Sequence, residues 1–360
     1  MKLISTKDAV GHVLCHDMTQ IIPGQYKDAR FRKGHVVQEE DIPVLLSMGK
    51  ENLYVWEMVP GMIHENDAAE RLCALCENEH MIRSQVKEGK LELTAAIDGF
   101  FHVDTQRLNQ INLLDEIMIA SRHGNRPVRK GDKLCGTRVI PLIIEEEKLQ
   151  KAEAIGENRP LLELLPWKLK TAAVIATGSE VAKGLIQDSF TPVVIQKLAE
   201  YGIETTRTCT PGDDMETITQ EILSAKESGV DLILCTGGMS VDPDDRTPGA
   251  IKNALVRSDR SFGGLRPEND GSQASGAQIV TYGAPVLPGA MFLLGYFGDG
   301  TPVMGLPGCV MYAKRTIFDL ILPRVAAGIP VTREEIAALG EGGLCLSCDV
   351  CVFPNCGFGV

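Results

Sequence analysis

From residue 168 to residue 306 the chain alternates two hydrophobic patterns. Short apolar runs, unbroken at 172–176 and interrupted at 230–235 only by Asp231, read as strands whose two faces are both covered. Between them lie amphipathic stretches at 192–201 and 214–228, ended by Gly202 and Gly229, which read as helices. Asp213 or Asp214 is placed to cap the second of these. A strand at 203–208, a helix at 247–256, short strands near Ile279 and at 303–306, and a last helix at 310–326 complete the expected series. The Gly- and Ser-rich stretch 258–277 reads as a long loop. This rhythm predicts the α/β class: a mostly parallel, helix-covered sheet, with ligands beyond the C-terminal ends of its strands.

The preceding residues lack that rhythm. Residues 1–60 read as a small β-rich module with one helix, opened by Asp41 and Pro43 and closed by Gly49, before a strand around Leu53 and Val55. Residues 61–165 read as an α+β middle region, with helices expected at 66–88 and 104–121 from apolar positions three to four apart. Two short strands around a Gly turn follow, then a helix at 145–155 and a linker at 157–160. The binding domain is expected at 166–330 and a cysteine-rich tail at 331–360.

Composition narrows the class. Lys and Arg number 36 against 48 Asp and Glu, a net charge of −12, so the field of the chain repels phosphate and disfavours nucleic acid or an anionic membrane as partner. An anionic ligand would need local holding by backbone N–H groups, a helix start or a cation. The most apolar stretch, 284–297, is broken by Pro285, Pro288, Gly289 and Gly295 and falls short of the roughly 20 residues of a membrane span. The first residues carry no long apolar core of a signal peptide, and the 11 cysteines are odd in number, so a cytoplasmic, reduced protein is expected.

Three glycine turns follow predicted strands. The first is Thr177-Gly178-Ser179-Glu180, where the glycine admits a ligand to the backbone and two hydroxyls can hydrogen-bond to it. The second, Thr236-Gly237-Gly238-Met239-Ser240, leads into Asp242, Asp244 and Asp245. A glycine pair before a helix can nest an anion, and an Asp pair beside it suits Mg²⁺ completed by phosphate oxygens and water. The third is Gly305-Leu306-Pro307-Gly308-Cys309. Each alone reads equally as an ordinary connection, and the acidic loop as solvated surface with a helix cap. Three on one rim argue for a shared ligand.

With their order and spacing, "TGSEVAKGLIQDS", "GVDLILCTGGMSVDPDD" and "VMGLPGCVMY" resemble the molybdopterin-binding domain of the molybdopterin molybdenumtransferases and their relatives, over about 168–328. "AAIDGFFHV" is similar to the "AMDGYAV" of that family and places Asp98 on its active-site aspartate. The resemblance implies a transferase of molybdenum-cofactor biosynthesis that binds molybdopterin, usually as the adenylate, and inserts molybdate with adenylate hydrolysis. It implies binding roles for Thr177, Gly178, Ser179, Glu180, Asp188, Ser189, Gly237, Gly238, Ser240, Pro288, Gly289, Pro307 and Gly308. Asp98, Asp242 and Asp245 become catalytic candidates, the last two as Mg²⁺ ligands. The departures are Ser179 for an acid, Phe190 and Cys309 for Asn, and Leu287 for Lys. A homodimer is expected, and an apo-molybdoenzyme is a candidate recipient. Two alternatives stand beside this reading: a non-catalytic pterin carrier or chaperone with a metal-bearing tail, and a nucleotide pyrophosphatase like the competence-damage relatives.

The tail has its own signal, Cys345-x2-Cys348-x2-Cys351-x4-Cys356. That spacing matches an all-cysteine site for Zn²⁺ or an iron–sulfur cluster, the alternative being unbound thiols. Cys73 and Cys76 read as core, the His12 and His16 pair as chance, and the basic residues of 122–133 as solubilising surface.

Overall fold

A computed structural model describes residues 2–22, 26–55, 60–240, 242–261 and 276–360; the side chain of Glu180 is outside the described set. The chain forms two compact units. One comprises residues 1–97, 102–124 and 129–164; the other comprises 98–101, 125–128 and 165–360.

In the first unit Lys2–Ser5 pairs antiparallel with Asn52–Val55, and Leu14, Met18, Phe31, Val37, Leu45 and Leu53 form a small core with the helix Asp41–Ser47. A four-stranded antiparallel sheet follows, in the order Met81–Arg83, Lys90–Ala95, Lys133–Val139, Ile117–Ser121. Two expected helices are corrected here. The helix expected at 66–88 is Glu65–Ala74 only, and the chain turns at 75–80 into a strand. The helix expected at 104–121 ends at Asn112. Glu116 takes a left-handed φ of 70°, and Ile117 and Ile119 then point inward while Met118 and Ala120 point out. The side-chain amide of Asn112 locks this break, bonding both the N–H and the carbonyl of Ile119 at 2.8 Å. Apolar residues at 111, 114, 117 and 118 satisfy a helical spacing, but the last two belong to a period of two.

The second unit carries the α/β sheet. Its elements are β1 (Thr171–Ala176), α1 (Phe190–Ala199), β2 (Glu204–Cys209), α2 (Met215–Glu227), β3 (Leu232–Thr236), α3 (Thr247–Ser261), β4 (Gln278–Tyr282), β5 (Leu293–Tyr296), β6 (Pro302–Leu306), α4 (Ile317–Ala326) and α5 (Arg333–Ala338). The sheet order is β2-β1-β3-β6-β5-β4. The first four strands run parallel; β5 runs against β6, and β4 pairs antiparallel with β5 and so returns to the direction of the first four. Alternate residues of each central strand enter opposite cores. Ala172, Val174, Leu232, Leu234, Met304 and Leu306 join α1 and α4 on one face. Ala173, Ile175, Ile233, Cys235 and Val303 join α2 and α3 on the other. This double coverage is why the strands read as unbroken apolar runs.

Asp214 caps α2 by accepting from Thr217 N–H. The loop expected at 258–277 yields to α3 as far as Ser261, and 262–275 lie outside the described residues. The last helix is also corrected. Gly308–Met311 is a separate 3₁₀ turn, and α4 starts at Ile317, where Thr316 and Asp319 form a capping box.

Candidate functional site

Strands β1, β3 and β6 are neighbours and parallel, so the residues that follow them emerge on one rim. The three glycine turns therefore meet. Thr177 N–H donates to the carbonyl of Thr236 at 2.7 Å, joining the first turn to the second. The Thr177 hydroxyl is buried, 3.1 Å from the same carbonyl and 3.0 Å from the hydroxyl of Thr247. Thr247, wholly buried at the start of α3, donates its own proton to the Gly237 carbonyl at 2.8 Å. Its N–H donates to the Gly238 carbonyl at 3.2 Å. Two threonines 70 residues apart thus pin the glycine pair from below.

Glycine is required at 237. The backbone there has φ +82°, and a Cβ would lie 2.2 Å from the carbonyl oxygen of Thr177. Met239, the next residue but one, lies across β6: a Cβ at Gly305 would stand 2.5 Å from its terminal methyl. The Tyr282 hydroxyl, from the antiparallel edge, donates to the Met239 carbonyl at 3.1 Å.

Above this floor is an open cleft of about 510 Å³. One wall is Gly237 to Ser240 with Asp245; the facing wall is Pro307, Gly308 and Cys309 with Met311 and Tyr312; Ala290 and Met291 close a third side. No Lys or Arg lines it, and Asp245 is its one carboxylate among the described residues. A Cβ at Gly308 would meet nothing within 4 Å, so the backbone there faces open space. Cys309 is half-buried, and burial pushes its thiol above the ordinary value.

The other expected site residues are placed as follows. Asp245 accepts from Ser240 N–H at 2.6 Å, so one of its oxygens holds the turn and the side chain stays half-buried. Asp242 is exposed, outside the cleft lining, and folds its own loop by accepting from Asp244 N–H at 3.1 Å. Ser179 heads a four-residue helical turn, its N–H donating to Asp213 at 2.8 Å. Asp188 accepts from the N–H groups of Phe190 and Thr191 at 2.8 and 3.0 Å, opening α1. Burial pushes its carboxylate up, but these amide donors and the Thr191 hydroxyl outweigh it and hold the group below the usual range. Ser189 is exposed. Gly289 abuts α4, where a Cβ would lie 2.5 Å from Ile317, and the Pro288 carbonyl accepts from Ile317 N–H at 3.3 Å. Asp98 is exposed, on a segment that clusters with the α/β unit. Of these, the cleft lining contains Gly237, Gly238, Ser240, Asp245, Pro307 and Gly308.

A divalent cation with phosphate oxygens asks the protein for one or two carboxylates, which Asp245 fits. Cys345 and Cys356 are half-buried and pack against the core of α1 and α4, whereas Cys348 and Cys351 are exposed. Among the described residues no group of three or more His, Cys, Asp or Glu side chains is gathered for a metal.

Thr247, Tyr282 and Met291 escaped the sequence reading. A Thr before Pro248 at a helix start was the one available signal, and it marks a cap rather than a brace under a turn 10 residues earlier.

Comparison with known proteins decides the domain. Residues 173–327 match the probable molybdopterin binding domain family. This molybdopterin-binding domain match runs from within β1 to the end of α4 and takes in every residue lining the cleft. Residues 3–57 match a second family, described as a domain of unknown function. A CinA-like protein of Thermosipho melanesiensis is 28% identical over 189 residues, which is 48% of this chain and 46% of that protein. A CinA-like protein of Thermotoga maritima is 29% identical over 157 residues, 39% of this chain and 37% of that one. The chain spans less than half the length of these curated relatives. Among solved structures, the molybdopterin biosynthesis enzyme MoaB of Thermus thermophilus is 22% identical, with a TM-score of 0.31, covering 45% of this chain and 99% of that one. Among the described residues, no helix is long and apolar enough to cross a membrane.

Proposed function

We propose that this protein acts in molybdenum-cofactor biosynthesis, binding molybdopterin as its adenylate in the glycine-turn cleft and inserting molybdate with hydrolysis of the adenylate. The observation that carries the reading is the meeting of the second and third glycine turns around one cleft, inside the segment that matches the molybdopterin binding family.

The roles follow from the walls. Gly237, Gly238 and Gly308 let phosphorylated groups approach the backbone, and the thioethers of Met239 and Met291 offer apolar, polarisable surface to a flat ring. No cationic side chain among the described residues lines the cleft, so the pyrophosphate charge must be met by backbone N–H groups and a cation. Asp245 would hold Mg²⁺ against the phosphates, with Asp242 three residues away on the same loop as a further carboxylate. When bound, Mg²⁺ supplies charge neutralisation at phosphorus. Water then adds to phosphorus, the anhydride P–O bond breaks, and AMP leaves. Asp98 serves to position molybdate or to accept dithiolene protons, and the active form is a homodimer.

The test is incubation with molybdopterin adenylate, Mg²⁺ and molybdate, reading AMP release and activation of an apo-molybdoenzyme. Asp242→Asn and Asp245→Asn should each abolish turnover with the fold retained; unchanged rates in both would remove the Mg²⁺ role. The carrier reading draws on the solvent position of Asp242 and on Ser179 in place of an acid; it expects tight binding with no AMP. A nucleotide pyrophosphatase on the same domain is the remaining alternative, and it expects cleavage of unrelated dinucleotides.

A further inference from the structure

A separate recess, of about 260 Å³, lies on the exposed face of the four-stranded sheet in the first unit. Its charged lining is Lys87, Lys90 and Arg138 with Glu88 and Glu92. Strand register sets the three cations in one row: Lys90 stands directly opposite Arg138, and Lys87 opposite Lys90. Directly opposite side chains share a face, and like charges there repel. Of the three, Lys90 is paired: its ammonium bonds the Glu92 carboxylate, whose second oxygen takes Lys133 at 3.0 Å. Lys87 and Arg138 are exposed and make no side-chain hydrogen bond or ion pair to a described residue. Glu88 accepts from the Thr19 hydroxyl at 3.0 Å. Lys87, Lys90, Lys133 and Arg138 against Glu88 and Glu92 leave an excess of two positive charges. The frame is fixed. Lys87 and Lys90 exchange backbone hydrogen bonds at 3.0 Å around a two-residue turn, in which Glu88 and Gly89 take φ of 51° and 67°. Gly89 N–H donates to the Asn66 side chain at 2.9 Å, and a Cβ there would lie 2.8 Å from the Glu65 carboxylate. Burial holds Glu65 above the usual carboxylate range, which limits the negative charge it adds.

We propose that this recess binds a small tetrahedral dianion, a phosphoryl group or an oxyanion of the same shape, held by Lys87 and Arg138 with Lys90 between them. A guanidinium fork meets two oxygens of such an anion at once, and the ammonium groups act as point charges beside it. Two excess positive charges match a dianion and leave one charge unmet by a monoanion. A chain of net charge −12 repels anions at long range, so a site of this kind has to be made by a local row of cations. The inference is independent of the pterin reading, because these residues lie in the other unit and none of them lines the glycine-turn cleft.

The experiment titrates the full chain with inorganic phosphate, molybdate and acetate in a calorimeter, in mildly alkaline buffer of low ionic strength where phosphate is a dianion. The expected result is saturable binding of phosphate, molybdate or both, and much weaker binding of acetate; the two dianions together tell a phosphoryl site from a metal-oxyanion site. Lys87→Gln and Arg138→Gln should each weaken the dianion about three- to fivefold, the scale of one exposed charge contact, and the double variant more than either. Both side chains are exposed and unbonded, so circular dichroism should match the parent. Gly237→Ala, which spoils the glycine-turn cleft, should leave this binding as it was. No binding by the parent, acetate held as tightly as the dianions, or binding lost in Gly237→Ala and kept in the double glutamine variant would each overturn the proposal.

Discussion

Thr247→Val tests whether two buried hydroxyls hold the glycine pair in shape. Valine keeps the volume and branching of threonine, so packing at the start of α3 is conserved. What disappears is the donor to the Gly237 carbonyl at 2.8 Å and one partner of the Thr177 hydroxyl at 3.0 Å. Thr177 can still donate to the Thr236 carbonyl at 3.1 Å, so its loss is partial. The Gly237 carbonyl has its donor removed, and an unmet group of this kind together with the lost bond costs about 2 kcal/mol. For a domain of roughly 150–250 residues that is a fall in midpoint of roughly 4–8 °C. Thr205→Val is the matched control, because the Thr205 hydroxyl is buried with no hydrogen-bond partner among the described residues. Its replacement should leave stability within about 0.5 kcal/mol of the parent, or raise it. Calorimetry gives the midpoints, and hydrogen exchange of a peptide spanning 232–247 locates the effect. Pterin affinity should fall by about tenfold in Thr247→Val, equivalent to about 1.4 kcal/mol of lost turn order. Equal midpoints for the two valine variants would refute the idea that this hydroxyl pair braces the cleft floor.

Two further outcomes follow from separate features. Gly237→Ala adds a Cβ 2.2 Å from the Thr177 carbonyl on a backbone with φ +82°. Left-handed alanine alone costs about 1–2 kcal/mol, so ligand binding should vanish in a calorimetric titration while circular dichroism keeps its helical signal. In the other unit, His64 caps the helix Glu65–Ala74 by accepting Asn66 N–H on Nδ1, while Nε2–H donates to the Cys15 carbonyl at 2.6 Å. Burial, with Lys33 adding to it, holds this imidazole below its ordinary pKa of 6.5. The unfolded chain therefore binds the proton more readily. The stabilisation is complete above about pH 6.5 and is lost as pH falls through the lowered folded value. Half-buried His16, lowered by burial, acts in the same sense and the raised Glu65 in the opposite one, so the comparison uses His64→Asn, which keeps a cap and removes the titration. Urea unfolding at two pH values, one well above and one well below the ordinary histidine value, should show a smaller loss in that variant than in the parent.

The sheet was legible because both of its faces are covered. Residues 172–176 and 230–235 read as strands without any knowledge of their neighbours, since the apolar positions there enter one core or the other. The helix expected at 104–121 misled for the converse reason. Ile111 and Ile117 satisfy a period of 3.6 by accident of two adjoining elements, and only the hydrogen bonds of Asn112 to Ile119 betray the break. At the cleft, glycines announced the turns because no other residue tolerates the backbone at 237. Thr247, Tyr282 and Met291 carry no such mark. Their work is done across 10, 43 or more residues, and local pattern holds no record of a contact at that range.

The α/β unit draws on three stretches of chain, and Arg126 is the residue that stitches them. Its guanidinium, 5% exposed, donates to the carbonyls of Pro354, Cys356 and Phe358, at 2.8 Å for the last two. Residues 125–128 and 98–101, which precede the matched segment by dozens of positions, are therefore integral to the body that holds the glycine-turn cleft. A gene fragment beginning at codon 165 would encode every strand of the sheet and yet omit the clasp for its final turn. For recombination, natural or engineered, the heritable module here is larger than the stretch of sequence that looks like one.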